Sequence, residues 1–159
     1  MKKILVFSDS HGNIENMIEV VQNNRPDMII HLGDCWRDAQ NLQDEFPDIP
    51  LEQVPGNCDF SREIAERVLL IEGKRVLICH GHTYHVKAGY LNIEYGAKEK
   101  NADVVLFGHT HRVYYDYHNG LVMLNPGSIG YSTLSPASYG WLMIDGKNNK
   151  ISVDVGYLE

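Results

Sequence analysis

Short β-branched and aliphatic runs alternate with segments of helical periodicity through the first third of this sequence. Lys3 to Phe7 predicts a strand, and residues 14–21 then carry apolar side chains at helical spacing. Met28 to Leu32 and Leu51 to Val54 predict two more strands, with a helix from Trp36 to Phe46 between them. Strands and helices that alternate in this way form right-handed crossovers and a largely parallel sheet. This alternation restricts the chain to the α/β class.

Hairpins dominate the rest of the chain. The first is predicted over residues 67–79 around Gly73, and it is followed by a helix from Tyr90 to Asn101 and a strand from Asp103 to Phe107. Two later hairpins are predicted over residues 113–124 and 140–155, with Asn119-Gly120 and Asp145-Gly146 at their turns. No repeat, low-complexity tract or linker interrupts residues 1–159, so we expect one domain, an α/β sandwich of two sheets with helices outside.

The composition limits the choice of partners and compartment. With 14 basic and 21 acidic residues the formal charge is −7, which disfavours an extended nucleic-acid surface or an anionic membrane but leaves a small anionic substrate open. The apolar stretch Ile4 to Phe7 is shorter than an export signal, and no stretch has the length of a membrane span. Three cysteines without an export signal predict reduced thiols in a cytoplasmic protein.

Polar side chains that can bind metal follow each predicted strand. Loops at the carboxyl ends of strands form the ligand crevice of an open α/β sheet, so these segments are expected to converge. A His-x-His pair on extended chain also places both imidazoles on one side. Each segment alone is a weak signal, and it is their conjunction that predicts one site. The segments are Asp9-Ser10-His11, Gly33-Asp34, Gly56-Asn57, His80-Gly81-His82 and Gly108-His109-Thr110-His111.

The order and spacing of these segments resemble the metallophosphoesterase signature of the calcineurin-like superfamily. The small size, the Gly-Asn-Cys-Asp sequence at residues 56–59 and Asn-Pro-Gly-Ser at residues 125–128 are similar to its compact YfcE-type phosphodiesterase branch. The resemblance runs from Lys3 to about Gly130. It implies a four-layer αββα sandwich of two mixed sheets flanked by helices, in agreement with the α/β sandwich expected above.

The resemblance also implies a centre of two divalent metal ions. One ion would be bound by Asp9, His11, Asp34 and His111. The other would be bound by Asp34, Asn57, His80 and His109, so that Asp34 bridges the pair. Two ions about 3.5–4 Å apart lower the pKa of a bridging hydroxide, which acts as the nucleophile. Oxygen and nitrogen ligands suit manganese, which we predict first, or Fe, Zn, Co or Ni.

Cys58 departs from the pattern of many members of the superfamily, which have at this position a histidine that protonates the leaving group. A thiol with a reference pKa of about 8.5 is a poorer acid at neutral pH. Asn57, Cys58 and His82 are the candidate catalytic residues, His82 because it lies two positions after His80 and can line the pocket. Asp59 lacks its usual histidine partner and is expected either to pair with Arg62 or to cap a turn.

Other residues are expected to have structural roles. Asn13 is predicted to cap the helix that follows it, and Cys79 is expected to pack as a small apolar side chain. His31 is expected to be an ordinary polar or core residue, and Asn-Pro-Gly-Ser at residues 125–128 a structural turn near the metals.

The predicted function is hydrolysis of small phosphodiesters by the bridging hydroxide. One alternative from another class is a protein-interaction scaffold, because a retromer subunit has this fold with a degraded metal site. Here each expected ligand position is filled, which favours the enzyme. A phosphomonoesterase or nuclease with the same metals is the other alternative, and a homo-oligomer is possible.

Overall fold

Ten strands and three α-helices make up the fold of the computed structural model, which describes residues 1–130 and 135–158. The helices are α1 (Ile14–Asn24), α2 (Trp36–Glu45) and α3 (Leu91–Glu99). In chain order the strands are β1 (Lys2–Phe7), β2 (Met28–His31), β3 (Leu51–Gln53), β4 (Glu66–Ile71), β5 (Lys74–Cys79), β6 (Val104–Leu106), β7 (Val113–His118), β8 (Leu121–Pro126), β9 (Ser138–Asp145) and β10 (Lys150–Tyr157).

Both sheets have five strands and mixed directions. The first sheet has the order β10-β9-β1-β2-β3, in which β1, β2 and β3 are parallel and β9 and β10 are antiparallel to their neighbours. The second sheet has the order β4-β5-β6-β8-β7, in which β5, β6 and β8 are parallel and the edge strands β4 and β7 are antiparallel. The four-layer αββα sandwich predicted from the sequence is confirmed.

Strand β1 shows how the sequence specifies the layers. Ile4 and Val6 point into the core between the two sheets, whereas Leu5 and Phe7 pack against α1 and α2 on the outer face of the first sheet. All four side chains are buried, so a strand covered on both faces has a continuous apolar sequence rather than an alternating one. The helix α3 covers the outer face of the second sheet in the same way.

The predicted start of α1 agrees with the structure, whereas the predicted length of α3 does not. The Asn13 side chain accepts a hydrogen bond from the Asn16 N–H at 3.2 Å, and therefore caps α1 as the sequence predicts. Helix α3 is shorter than the predicted Tyr90 to Asn101, because Asn101 has a left-handed backbone with φ of 54°. No helix of the described residues is long and apolar enough to span a membrane.

The strand directions bring five loops to one end of the sandwich. β1, β2 and β3 are parallel within the first sheet, and β5 and β6 are parallel within the second. Hydrogen bonds across the loops tie these strand ends together, including Asp9 N–H to Gly33 O at 2.9 Å and Gly108 N–H to His80 O at 2.8 Å. The polar segments after these strands therefore meet.

Candidate metal centre

Two aspartates lie at the centre of a cluster of histidines. Asp9 Oδ1 is 3.1 Å from His111 Nε2, 3.6 Å from His11 Nε2 and 3.7 Å from His80 Nε2. Asp34 Oδ2 is 3.5 Å from His80 Nε2 and 4.0 Å from His11 Nε2. Each carboxylate is therefore close to histidines from both sheets. Two groups with the spacing of metal ligands share Asp9, one with His11 and His111 and the other with Asp34 and His80.

Ring nitrogens of the histidines also face one another in pairs. His11 Nε2 is 3.3 Å from His111 Nε2, and His80 Nε2 is 3.2 Å from His109 Nδ1. Two ligand atoms that each lie about 2.1 Å from one metal ion are separated by about 3.0–3.4 Å, so both pairs have a spacing that suits a shared ion. A set of carboxylate oxygens and imidazole nitrogens fits a divalent transition metal.

His80 has one ring nitrogen fixed by the backbone. Its Nδ1–H donates to the carbonyl oxygen of Leu32 at 2.9 Å, and this leaves Nε2 facing the two aspartates. Such a bond on the far nitrogen is typical of metal-binding histidines, because it fixes both the tautomer and the ring orientation. Burial lowers the pKa of His80, but the hydrogen bond with Asp34 and the charge of Asp9 outweigh it and raise the pKa overall.

Both carboxylates remain ionised despite their burial. Burial raises the pKa of Asp9, but hydrogen bonds from His11 and His111 outweigh it and hold that pKa well below its usual range. Burial also acts on Asp34, where contact with His80 lowers the pKa to about 2. The centre therefore presents two negative charges to a cation at neutral pH.

The backbone is left-handed rather than extended at five of the seven candidate ligands. The φ angles are 56° at Asp9, 47° at His11, 49° at Asp34, 73° at His109 and 61° at His111. The expectation that His109 and His111 lie on extended chain is therefore wrong, and the two imidazoles reach the same cluster through a turn. Non-glycine residues with positive φ are uncommon and concentrate at functional sites, where the surrounding structure maintains them.

Close approach of the loops explains two of the motif glycines. A Cβ atom at Gly56 would overlap the Asp34 carboxylate, and one at Gly108 would overlap the side chain of Ser8 next to Asp9. Only glycine allows these backbones to come so near the carboxylates.

Asp59 connects the loop after β2 to the loop after β3 through three backbone N–H groups beside the centre. Its Oδ2 accepts hydrogen bonds from Asp34 N–H at 3.0 Å and from Gly56 N–H at 2.7 Å, while Oδ1 accepts from Trp36 N–H at 2.9 Å. Of the two expectations for Asp59, the turn cap is therefore the correct one, since its carboxylate forms no ion pair with Arg62 in the described part of the chain.

Asp59→Ala is expected to reduce metal affinity by about 10–100-fold, since loss of a group that orients ligands typically has this effect. Three N–H groups lose a charged acceptor, which also destabilises the fold by about 2–3 kcal/mol. Calorimetric titration of Mn²⁺ into the two proteins measures the affinity. Asp48→Ala, at an exposed aspartate outside the loop, is the matched control. Wild-type affinity in Asp59→Ala would show that its hydrogen bonds do not support the centre.

The three candidate catalytic residues lie at the rim of the cluster. Asn57 is exposed, and its Nδ2 is 3.7 Å from Cys58 Sγ; the Cys58 N–H donates to Asp34 Oδ1 at 3.0 Å. Partial burial and the charge of Asp34 raise the pKa of the Cys58 thiol. The His82 ring lies 5.5 Å from that of His80, and its Nδ1 is buried without a hydrogen-bond partner in residues 1–130 and 135–158. Burial lowers the pKa of His82.

The cysteines are free thiols in three different environments. Cys58 is exposed, Cys35 is half-buried, and Cys79 is buried in the core beneath α3. Burial raises the pKa of Cys79 above its usual range, so this thiol stays protonated. Cys79 is packed as a small apolar side chain, in agreement with the sequence analysis.

His31 supports the centre in a way that sequence reasoning missed, because a histidine within an apolar strand was expected to be an ordinary core residue. Its Nδ1 accepts from Gly33 N–H at 3.1 Å, so its Nε2–H donates to Ser10 Oγ at 2.9 Å. It thus joins the loop after β1 to the loop after β2. Burial lowers the pKa of His31 to about 4, and the ring is neutral at pH 7.

Asn125 and Ser128 support the same centre from β8 and the turn that follows. Asn125 Nδ2 donates to Gly108 O at 3.1 Å and to Thr110 Oγ1 at 2.9 Å, and Ser128 Oγ donates to Asp9 O at 2.8 Å. The Asn-Pro-Gly-Ser segment was expected to be a structural turn near the metals, and the contacts agree.

A pH dependence of stability is expected from His31. In the unfolded chain its pKa is near 6.5, whereas in the fold it is about 4, so the neutral residue stabilises the fold above pH 6.5 and loses up to about 3 kcal/mol as the pH falls to 4. Urea unfolding of metal-free protein between pH 7 and 4 measures this loss. The loss should be smaller in His31→Gln, and parallel curves for the two proteins would contradict the expectation.

Comparison with known proteins places the chain in a family. A family model described as the calcineurin-like phosphoesterase superfamily domain matches residues 1–147. The probable metallophosphoesterase YsnB of Bacillus subtilis is 38% identical over 130 residues, which cover 79% of this chain and 74% of the relative. The phosphodiesterase YfcE of Escherichia coli is 26% identical over 170 residues, covering 89% of this chain and 88% of the relative. The chain belongs to the calcineurin-like phosphoesterase superfamily.

Solved structures agree on the fold. A predicted phosphoesterase of Streptococcus pneumoniae superimposes with a TM-score of 0.80 at 26% identity, covering 98% of this chain and 89% of that one. Vps29 of Entamoeba histolytica complexed with Zn²⁺ has a TM-score of 0.75 at 18% identity, with 98% of each chain covered. At such low identity the likeness to Vps29 shows the fold alone.

Proposed function

We propose that this protein is a phosphodiesterase that uses two divalent metal ions to hydrolyse small phosphodiesters. The observation that carries the proposal is the position of two ionised carboxylates between ring nitrogens of both sheets. One ion is assigned to Asp9, His11 and His111, which form one of the two groups, together with Asp34, whose Oδ2 is 4.0 Å from His11 Nε2. The other is assigned to Asp34, Asn57, His80 and His109, with manganese as the preferred metal. We assign Asp34 as the bridge because its Oδ2 lies between His11 and His80.

The residues around the ions would position and activate the reacting groups. Two ions, when bound, would supply a hydroxide nucleophile at neutral pH, because divalent metal ions lower the pKa of bound water. His80, oriented by the Leu32 carbonyl, and Asp34, held by the Cys58 and Asp59 contacts, keep the ligand set in one geometry. Asn57 has to turn its amide from Cys58 toward the ions to act as a ligand, and its exposure allows this rotation.

Metal binding alone does not distinguish an enzyme from a protein-interaction scaffold. Vps29 has been solved with Zn²⁺, so a bound ion in this fold does not by itself establish hydrolysis. We favour the enzyme because both carboxylates and all four histidines of the cluster are present, and each of these side chains lies 3.1–4.0 Å from at least one other. The free cysteines agree with our proposal that the protein is cytoplasmic.

Activity assays separate the candidate functions. Protein purified without added metal is assayed with Mn²⁺, Zn²⁺, Co²⁺ and Ni²⁺ against bis(p-nitrophenyl) phosphate, p-nitrophenyl phosphate and single-stranded DNA. We expect the aryl diester to be hydrolysed fastest, and a chelator to abolish the activity. Faster hydrolysis of the monoester or of DNA would favour a phosphomonoesterase or a nuclease. No hydrolysis with any metal would favour the scaffold.

A further inference from the structure

A small basic pocket adjoins the candidate metal centre on the side of the second sheet. It has a volume of about 320 Å³ and is lined by Lys87, Tyr90, Thr110 and Arg112. Thr110 lies between His109 and His111 in the chain, so one lining residue of the pocket is the direct neighbour of two candidate ligands.

Packing and hydrogen bonds hold two of the lining residues of the pocket in place, whereas its two cationic side chains form no ion pair in the described residues. Tyr90 packs against Tyr114 with ring centroids 4.4 Å apart and against Phe107 at 5.2 Å, which gives the pocket a rigid aromatic side. The Thr110 hydroxyl accepts from the Asn125 side chain at 2.9 Å and from Arg112 N–H at 3.1 Å. Within residues 1–130 and 135–158, neither Lys87 nor Arg112 forms an ion pair with a carboxylate.

Two positive side chains next to the centre are notable in a chain with a formal charge of −7. The metal ions themselves would bind the phosphodiester group, so these two side chains are available for a different negative charge. The volume is near the lower end of the range of about 300–1,000 Å³ for ligand pockets, which suits one ring with a charged substituent rather than a long chain.

We infer that Lys87 and Arg112 form a subsite for a second anionic group, so that the preferred substrate is a phosphodiester whose non-leaving arm carries a carboxylate or a further phosphate. This inference rests on the proposed function and narrows its substrate class. Cys58 lies after β3 of the first sheet and the pocket lies after β5 and β6 of the second. The two arms of a diester would therefore extend to different sheets, with the anionic arm over Thr110.

A matched pair of substrates tests the subsite. p-Nitrophenyl phenyl phosphate and p-nitrophenyl 3-carboxyphenyl phosphate have the same leaving group and differ by one carboxylate. In Mn²⁺-loaded wild type at low ionic strength, we expect a KM about fivefold lower for the carboxylated diester, the effect of an ion pair at a partly exposed site. The preference should shrink at 0.5 M NaCl, because salt screens exposed charges.

Two variants assign that preference to the pocket. Lys87→Met/Arg112→Met should bring the ratio of the two KM values to about one. Lys147→Met should retain the wild-type ratio, because Lys147 is exposed in the turn between β9 and β10, at the opposite end of β1 from the metal centre. Equal KM values in wild type, or a preference that persists in the double variant, would overturn the inference.

A binding measurement separates failure of the subsite from failure of the proposed function. Phenylphosphonate and 3-carboxyphenylphosphonate are not hydrolysed, and calorimetry gives their affinity for the Mn²⁺-loaded protein. If neither diester is hydrolysed, the proposed function fails, but tighter binding of the carboxylated phosphonate that depends on Lys87 and Arg112 would still support an anion subsite. Equal affinity of both phosphonates for wild type would overturn it.

Discussion

Asp34→Asn is expected to reduce phosphodiester hydrolysis at least about 10³-fold and to lower metal content at both positions. Asp34 Oδ2 lies 3.5 Å from His80 and 4.0 Å from His11, which we assign to different ions, so the substitution removes negative charge close to both proposed ion positions. Loss of charge stabilisation from a metal centre has an effect of several kcal/mol on the transition state, and about 4 kcal/mol corresponds to a factor of 10³. Elemental analysis and kinetics measure the two effects on the same preparation.

Two further variants show whether the effect of Asp34→Asn is specific to the bridging position. Asp44→Asn changes an exposed aspartate in the same way and should match wild type in both measurements. His11→Ala should chiefly lower the content of one ion, since His11 belongs to one group of candidate ligands. Two tightly bound ions per chain in Asp34→Asn would contradict the bridging assignment.

Aryl diesters are expected to be hydrolysed about 10²–10⁴-fold faster than alkyl diesters. This is the factor that general acid catalysis typically contributes, and we propose that this protein lacks an efficient general acid. We propose that Cys58 stands where many members of the superfamily have the proton donor. Desolvation and the hydrogen bond and charge of Asp34 raise the pKa of its thiol, which weakens it as an acid. Departure of a poor leaving group therefore proceeds without an efficient donor. A series of diesters with leaving groups of graded pKa should give a steep dependence of rate on that pKa.

Three variants distinguish the possible donors in that series. Cys58→His should selectively accelerate the poor leaving groups, and Cys58→Ser removes the thiol without adding an imidazole and should not. His82 is the competing candidate, because it lies beside His80 and its buried Nδ1 lacks a partner in the described residues. If the rate hardly depends on leaving-group pKa in wild type but depends on it steeply in His82→Ala, His82 is the donor and the interpretation of Cys58 is refuted.

The fold was predictable because its strongest signals are local. The continuous apolar sequence of β1 and the helical spacing after it specify a buried strand and a covering helix, whatever the rest of the chain does. The partner of β9 was not predictable. It pairs with β1 across the first sheet, more than a hundred residues away, rather than extending the second sheet beside β8. Such long-range pairing has no local sequence signal.

The candidate ligands were predictable from their position after strands, but the groups that hold them were not. Asp59 accepts hydrogen bonds from backbone N–H groups of two loops, whereas the sequence suggested only an ion pair with Arg62 or a turn cap. The role of His31 was not predictable for a similar reason, since its contacts with Ser10 and Gly33 depend on β1 and β2 lying side by side. The left-handed backbone at His109 and His111 is likewise imposed by the surrounding loops rather than by residue type.

The two-metal centre is tested most directly by a crystal structure of the protein grown with saturating Mn²⁺, in which anomalous scattering locates the metal. We predict two anomalous peaks per chain about 3.5–4 Å apart, the separation of two-metal sites, with an Asp34 oxygen bound to both. One peak is expected beside His11 and His111, and the other beside His80 and His109. A single peak, or no peak within this cluster at saturating Mn²⁺, would contradict the two-metal centre.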